Sequence, residues 1–250
     1  MLAGYVPSCT ACVVLRTEER VTSESPDWLP LLRMHTERFG DVVRDAELDA
    51  LVPSCPGWSL RDLVVHLGGV HQWATHAVVE GNPNLRPEPP ADEGRSGLTE
   101  WYRRHASHLV EVLTSTATDA PAWTLDDRDP TAQFWMRRQV HETVMHAWDA
   151  ENAFGQPRPM NPFIAWDEVL EVRDVIYPRQ VRLGRVRPLS RAIHMVSTDV
   201  SGDAVFGDGE SILLRDKAET LLRLLWHRAD THVHVSDLQG RTLLSGALTP

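Results

Sequence analysis

The 250-residue sequence is poor in cysteine and in long apolar runs. Its three cysteines are Cys9, Cys12 and Cys55, and so small an odd number favours a reducing compartment over a disulfide scaffold. Cys9 and Cys12 form a lone CxxC, without the second pair that a structural zinc site needs. No stretch approaches the ~20 apolar residues of a membrane span, and the N-terminus does not resemble a secretory signal. We therefore expect a cytoplasmic protein with no membrane partner.

Positive charge is also scarce, and all but one of the positively charged residues, Lys217, are arginine. The chain has 25 Lys+Arg against 35 Asp+Glu, a formal net charge of −10. Because binding of phosphates requires a basic surface, this balance argues against nucleic acid as a partner. The hydrophobic fraction of 42% and charged fraction of 24% are ordinary for a globular protein. The length allows one large domain or two small ones.

Apolar residues recur every three or four positions through most of the first two thirds of the chain. This periodicity predicts amphipathic helices over about 28–46, 59–80, 98–117 and 131–154, with a further helical stretch over 163–182. Four such helices joined by loops are typical of a four-helix bundle. We expect a flexible leader over 1–26, a helical bundle over 27–183, and a loop over 81–96 that is long enough to act as a lid.

The hydrophobic pattern of the sequence changes after the bundle, over 188–250. Alternating patterns predict strands over 192–196, 204–206, 211–214 and 231–235, with helices over 217–228 and 242–248. We expect a small C-terminal α/β domain, so that the whole chain belongs to the α+β class.

The second predicted helix begins with recognisable capping residues. Ser59 followed three residues later by Asp62 predicts a capping box, although Asp62 also lies one turn before His66 and could orient its ring instead. Gly68 and Gly69 follow in mid-helix, where each costs about 1 kcal/mol relative to alanine. We expect another backbone or a ligand to approach the helix closely there.

The fourth predicted helix carries the pattern that points to chemistry. Glu142 and His146 are four residues apart and share one face, whereas His141 and His146, five apart, do not. The spacing is one residue longer than the HExxH of zinc peptidases. Glu142 can equally pair with Arg138, one turn before it. If His66 faces this pair across the bundle, three protein ligands with an open position predict a catalytic metal site for Zn²⁺ or a similar ion.

Two long segments resemble a known family, the mycothiol-dependent maleylpyruvate isomerases of actinobacteria. They are Val52-Pro-Ser-Cys-Pro-Gly-Trp-Ser-Leu-Arg-Asp-Leu-Val-Val-His66-Leu-Gly-Gly-Val-His71 and Arg137-Arg-Gln-Val-His-Glu142-Thr-Val-Met-His146-Ala-Trp-Asp149-Ala-Glu-Asn-Ala-Phe-Gly155. Leu221 to Arg228 is similar to the family's C-terminal helix, with His227 where we expect a second arginine. The resemblance implies a DinB-like four-helix bundle followed by a small sterol-carrier-like α/β domain.

The resemblance also implies a function. It implies a divalent metal, usually zinc, on His66, Glu142 and His146, and mycothiol as thiol cofactor or co-substrate. A metal with an open position lowers the pKa of a thiol, and the thiolate is the nucleophile. The expected reaction is cis–trans isomerisation of an electrophilic small molecule, or transfer of the sulfur to it. We expect a monomer or homodimer.

Two other functions are compatible with the same residues. A hydrolase or lyase would use metal-bound water in place of the thiol, with Asp149 or His141 as a general base. A non-enzymatic binder would use the metal only to hold the bundle. For a substrate carboxylate, arginine is the natural partner. The candidates are Arg138 and Arg95, followed by Arg103 and Arg104.

Overall fold

The computed structural model describes residues 26–92, 94–246 and 248–249. The expected leader and the Cys9–Cys12 motif lie outside the described residues, apart from the last residue of the leader.

The first four helices form the bundle that the periodicity predicts. They are α1 (Trp28–Asp45), α2 (Leu60–Val79), α3 (Arg95–Ser115) and α4 (Ala132–Asn152). Helices α1 and α2 both pack on α3 and α4.

The start of α2 is fixed by the capping box. The backbone N–H of Ser59 donates to the Asp62 carboxylate at 2.8 Å, and the backbone N–H of Asp62 donates to the Ser59 hydroxyl at 3.3 Å. These two bonds satisfy N–H groups that a helix N-terminus would otherwise leave free. Asp62 is therefore a capping residue, and α2 has a defined starting point nearly two turns before His66.

The glycines in the middle of α2 mark a close approach, as expected, but the neighbour is a side chain. A Cβ atom added at Gly68 would lie 2.2 Å from the Trp101 indole of α3. At Gly69 the nearest atom would be Pro87 at 3.7 Å, an ordinary contact. Gly68 thus lets Trp101 press against the backbone of α2, and no ligand is needed to explain it.

The helical stretch after the bundle is not one continuous helix. It consists of α5 (Pro162–Glu171), a π-helical turn over Val172–Ile176, and α6 (Tyr177–Arg182). Pro178 lies in the first turn of α6, where its missing N–H breaks the regular hydrogen-bond ladder. The helical stretch predicted over 163–182 is therefore confirmed, with a π-helical turn in its middle.

The C-terminal unit contains a small sheet covered by a helix. Within the described residues, β1 (Ala192–Ser197), β2 (Asp203–Phe206) and β3 (Ser211–Asp216) lie in the order β2-β1-β3. β1 runs antiparallel to β2 and parallel to β3, and His194 lies opposite both Val205 and Leu213. The helix α7 (Ala218–Leu225) follows, so the α+β class is confirmed.

The predicted strand over 231–235 is wrong. Thr231–His234 is instead a short helix, α8, because the Asp230 side chain accepts a hydrogen bond from the His232 N–H and caps it. The last helix, α9, spans Leu238–Ser245, a few residues earlier than expected, since the Asp237 side chain caps it.

The apolar core runs without interruption from the bundle into the C-terminal unit. One cluster of buried side chains extends from Trp28 on α1 through Val169 on α5 to Ile193 on β1 and Leu222 on α7. A second cluster fills the other end of the bundle. Helix α5 packs on α7 and joins the two parts. Nowhere in the described ranges does a helix combine the length and apolar character that a membrane crossing requires.

Candidate metal centre

Three predicted ligands meet between α2 and α4. The Nε2 atoms of His66 and His146 lie 3.4 and 3.3 Å from the same oxygen, Oε1, of Glu142. All three ligand atoms lie within 4.8 Å of one another. Because Glu142 and His146 are one helical turn apart, α4 presents both to one point, and α2 brings His66 to that point from across the bundle.

These distances fit a divalent ion. Nitrogen and oxygen ligands lie about 2.0–2.1 Å from zinc, and at tetrahedral angles two such atoms are about 3.4 Å apart. The separations of both histidine nitrogens from Glu142 Oε1 match this value. The side chains of His146 and Glu142 are 10% and 13% exposed and that of His66 is 37% exposed, so the group opens to solvent on the α2 side.

The second oxygen of Glu142 is engaged by a chain of buried charges. Glu142 Oε2 pairs with Arg138, whose Nη1 donates to Glu171 Oε2 of α5 at 2.9 Å. The same Glu171 oxygen lies 2.9 Å from Nδ1 of His141. Burial alone would raise the pKa of Glu142, but Arg138, together with the contacts to His146 and His66, holds that pKa well below its usual range. Arg138 thus engages one oxygen of Glu142, and the other oxygen faces the two histidines.

His146 is oriented through its other ring nitrogen. Its Nδ1 lies 2.9 Å from Asp149 Oδ2, which leaves Nε2 directed at Glu142. Asp149 is in turn held by Arg228, which follows α7 and donates from Nε and Nη2 at 2.8 and 2.7 Å. Burial would raise the pKa of Asp149, but these partners hold it well below its usual range. A carboxylate behind a histidine ligand is the usual arrangement at metal sites.

Cys55 lies beside this pair. Its Sγ is 3.6 Å from Asp149 Oδ2 and 3.5 Å from Arg228 Nη2. Burial, followed by the neighbouring charge of Asp149, raises the pKa of the Cys55 thiol to about 11. This thiol stays protonated at neutral pH and is not itself an activated nucleophile.

The structure separates the other predicted site residues. Arg138 and Asp149 contact the ligands directly. His141 is fully buried on another face of α4, between Glu171 and an edge contact with Trp28, so it is not brought to the ligand group. Arg95 forms a salt bridge with Glu47, with 3.1 Å between Nη2 and Oε1.

Three contributing residues were missed at the sequence level: Cys55, Glu171 and Arg228. Arg228 stands next to His227 in the motif that resembles the family's C-terminal helix, but sequence gave no reason to connect it with Asp149. The signal for Glu171 was available. An acidic residue on the inward face of an otherwise apolar helix requires a buried partner.

The fold and the site define a class of protein, a four-helix bundle that presents a His–Glu–His group between two of its helices. Residues 29–151, which form the bundle, match the model of the mycothiol maleylpyruvate isomerase N-terminal domain family. That range contains all three candidate ligands. The expected family and the expectation of an enzyme are thereby confirmed.

Two solved structures share the fold of this chain beyond the bundle. The crystal structure of the mycothiol-dependent maleylpyruvate isomerase is similar with a TM-score of 0.59 and 15% identity, over 81% of this chain and 88% of that chain. A histidine-to-alanine mutant of that enzyme gives 0.59 and 13% identity, over 79% and 86%. At this identity the likeness shows the fold.

Curated relatives are more similar in sequence. The uncharacterized proteins Rv0738 and MT0763, from two strains of Mycobacterium tuberculosis, are each 24% identical over 141 residues. The match covers 55% of this chain and 71% of each relative.

Proposed function

We propose that the chain is a metal-dependent enzyme that activates a low-molecular-weight thiol, mycothiol, for cis–trans isomerisation of an electrophilic small molecule or for S-transfer to it. The metal, zinc in this proposal, would be held by His66, Glu142 and His146. The scarcity of cysteine favours a reducing compartment, so a cytoplasmic location is part of the proposal.

The observation that carries the proposal is the spacing of the ligand atoms. Two imidazole nitrogens approach one carboxylate oxygen at 3.3 and 3.4 Å, the separation that a tetrahedral ion imposes on its ligands. Among the described residues this group offers three protein ligands, which would leave one position for an external molecule on the exposed side of His66. Catalytic zinc sites keep such a position open, whereas structural sites close it with a fourth protein ligand.

The residues around the ligands favour a site that is ready to bind a cation. Arg138 occupies one oxygen of Glu142 and so directs the other toward the histidines. Asp149 accepts from the Nδ1 side of His146 and leaves Nε2 as the ligand nitrogen. When bound, the ion supplies a positive charge that stabilises a thiolate at neutral pH.

The nucleophilic sulfur comes from outside the chain in this proposal. Cys55 is the described thiol nearest the ligands, but it is half-buried, its pKa is raised to about 11, and it packs against the Asp149–Arg228 pair. An external thiol that reaches the exposed side of His66 avoids this environment. The family to which the bundle belongs takes its name from an enzyme that uses mycothiol.

Elemental analysis of purified wild type and of His66→Ala, followed by titration with mycothiol, tests the proposal. We expect about one equivalent of metal in wild type, a large loss in His66→Ala, and thiol binding that requires the metal. His108→Ala is the matched control, because His108 is exposed on α3 and should retain the metal.

Two results would contradict the proposal in different ways. Metal without thiol binding would favour the hydrolase or lyase that activates water. If wild-type protein prepared in the absence of chelators contains no metal, the proposed metal centre is wrong. If metal and thiol both bind, a screen of electrophilic substrates separates isomerisation from S-transfer.

A further inference from the structure

We propose that Arg228, contributed by the C-terminal unit, is a positioning residue of the metal centre that fixes the His146 ligand through Asp149. This inference rests on the proposed function and deepens it, because it makes the C-terminal unit a part of the site that the bundle alone does not complete.

The contact between Arg228 and Asp149 is bidentate and buried. Nε of Arg228 donates to Oδ1 at 2.8 Å, and Nη2 donates to Oδ2 at 2.7 Å. The two side chains are 9% and 0% exposed. A planar guanidinium that holds both oxygens fixes the rotation of the carboxylate as well as its position.

The same carboxylate orients the ligand. Oδ2 of Asp149 is shared between Nη2 of Arg228 and Nδ1 of His146, the latter at 2.9 Å. If the carboxylate turns, the imidazole ring loses its partner and its Nε2 leaves the line toward Glu142. The orientation of His146 therefore depends on a residue 82 positions further along the chain.

The backbone around Arg228 is shaped to deliver this contact. His227 adopts the left-handed conformation, with φ of 59°, and the Arg228 N–H then donates to the Arg223 carbonyl at 2.7 Å. This closes the end of α7. Nη1 of Arg228 also donates to the Trp226 carbonyl at 2.8 Å. The guanidinium is thus held in place by its own segment as well as by Asp149.

This arrangement argues against substrate binding as the main role of Arg228. All three of its guanidinium nitrogens have protein partners, and its side chain is nearly inaccessible. A substrate carboxylate would have to displace Asp149, which would release His146 at the same time.

The experiment is a double-substitution cycle read by metal binding. Zn²⁺ dissociation constants are measured by competition with a chromophoric chelator for wild type, Arg228→Gln, Asp149→Asn and the double variant, and the visible spectrum of the Co²⁺-loaded protein is recorded for each. Arg215→Gln, an exposed arginine of β3, is the matched control. Urea unfolding of the four metal-free proteins measures whether the two residues interact.

We expect each single substitution to weaken Zn²⁺ binding about 10- to 100-fold, the usual effect of losing a contact behind a metal ligand, and to change the Co²⁺ spectrum. The double variant should bind no more weakly than Asp149→Asn, since both act through one contact. Arg228→Lys should remain impaired, because an ammonium cannot reproduce the bidentate geometry. Asp149→Asn tests the same contact from the bundle side, so the result does not depend on the folding of Arg228→Gln.

Wild-type Zn²⁺ affinity and an unchanged Co²⁺ spectrum in Arg228→Gln and Asp149→Asn would overturn the inference. So would additive losses of Zn²⁺ affinity in the double variant. A wild type that binds no metal would overturn the proposed function and the positioning role together, while unfolding of the metal-free proteins would still report whether Arg228 and Asp149 interact. The two failures are thus distinguishable.

Discussion

Helices α4 and α2 hold their candidate ligands by different physical means. On α4, Glu142 and His146 are each braced by charged partners, Arg138 on one side and Asp149 on the other. On α2, the His66 ring packs edge-on against Trp58, with centroids 5.0 Å apart, and its side chain is much more exposed than either α4 ligand.

The difference indicates which half of the site is rigid. Ion pairs and hydrogen bonds in the interior are strong and directional, so the α4 ligands have little freedom. His66 is positioned by the packing of its helix, and it borders the side on which an incoming molecule would bind. Substitutions that disrupt one half of the site or the other test this difference.

Glu171→Gln should break the α4 half most severely. It removes a buried carboxylate that serves both Arg138 and His141. Burial would raise the pKa of Glu171, but Arg138 and His141 lower it from 4.5 to about 2, which corresponds to about 3 kcal/mol. We expect a loss of about that size in the free energy of unfolding at pH 7, measured with urea.

The same substitution should change the pH dependence of stability. Because the folded pKa of Glu171 lies below the unfolded one, its contribution is complete above about pH 5 and is lost as the pH falls toward 2. Wild type should lose this stability in that window, and Glu171→Gln should not. Asp167→Asn, which removes a more exposed pair with Arg137 on the same two helices, should cost less than about 1 kcal/mol. Equal losses for the two variants would contradict the argument.

Gly68→Ala should destabilise the half of the site carried by α2, because it disturbs the packing of that helix without changing any charge. The new methyl would lie 2.2 Å from Trp101, so α2 or α3 must move, which costs about 1–3 kcal/mol despite the better helix propensity of alanine. Thermal unfolding measures the loss. Gly69→Ala is the matched control, since its nearest neighbour is an ordinary 3.7 Å contact, and it should be neutral or stabilising.

His227→Gly should strengthen the connection between the C-terminal unit and α4. A residue with φ of 59° is strained unless it is glycine, so the substitution should stabilise the protein by about 0.5–1 kcal/mol. Urea unfolding provides the measurement. A destabilised variant would mean that the His227 side chain makes a contribution larger than the strain.

His66→Ala should separate metal binding from stability. The ring is partly exposed, so we expect the metal-free protein to unfold within about 0.5 kcal/mol of wild type while its metal affinity falls sharply. Comparison with Glu171→Gln then sharpens the contrast between the two helices. A stability loss as large as that of Glu171→Gln would show that α2 is braced as strongly as α4.

Periodicity and local spacing predicted the four bundle helices, the Ser59–Asp62 cap and the convergence of Glu142 with His146, because these features depend on neighbours in sequence. The helical turn of Thr231–His234 was missed because four residues carry too little periodicity to distinguish a strand from a capped turn. Arg228 was missed because its partner Asp149 lies 79 residues away. Such pairing depends on how α7 docks on the bundle, and no local pattern encodes that.

The distance in sequence between Arg228 and Asp149 also bears on the order of events during folding. Contacts between residues close in sequence form before those that close long loops, and synthesis from the N-terminus completes all three ligand residues before Arg228 exists. The nascent chain can therefore form the helices that carry the candidate ligands first, and Arg228 can reach Asp149 and orient the His146 side chain only after the C-terminal unit has been synthesised.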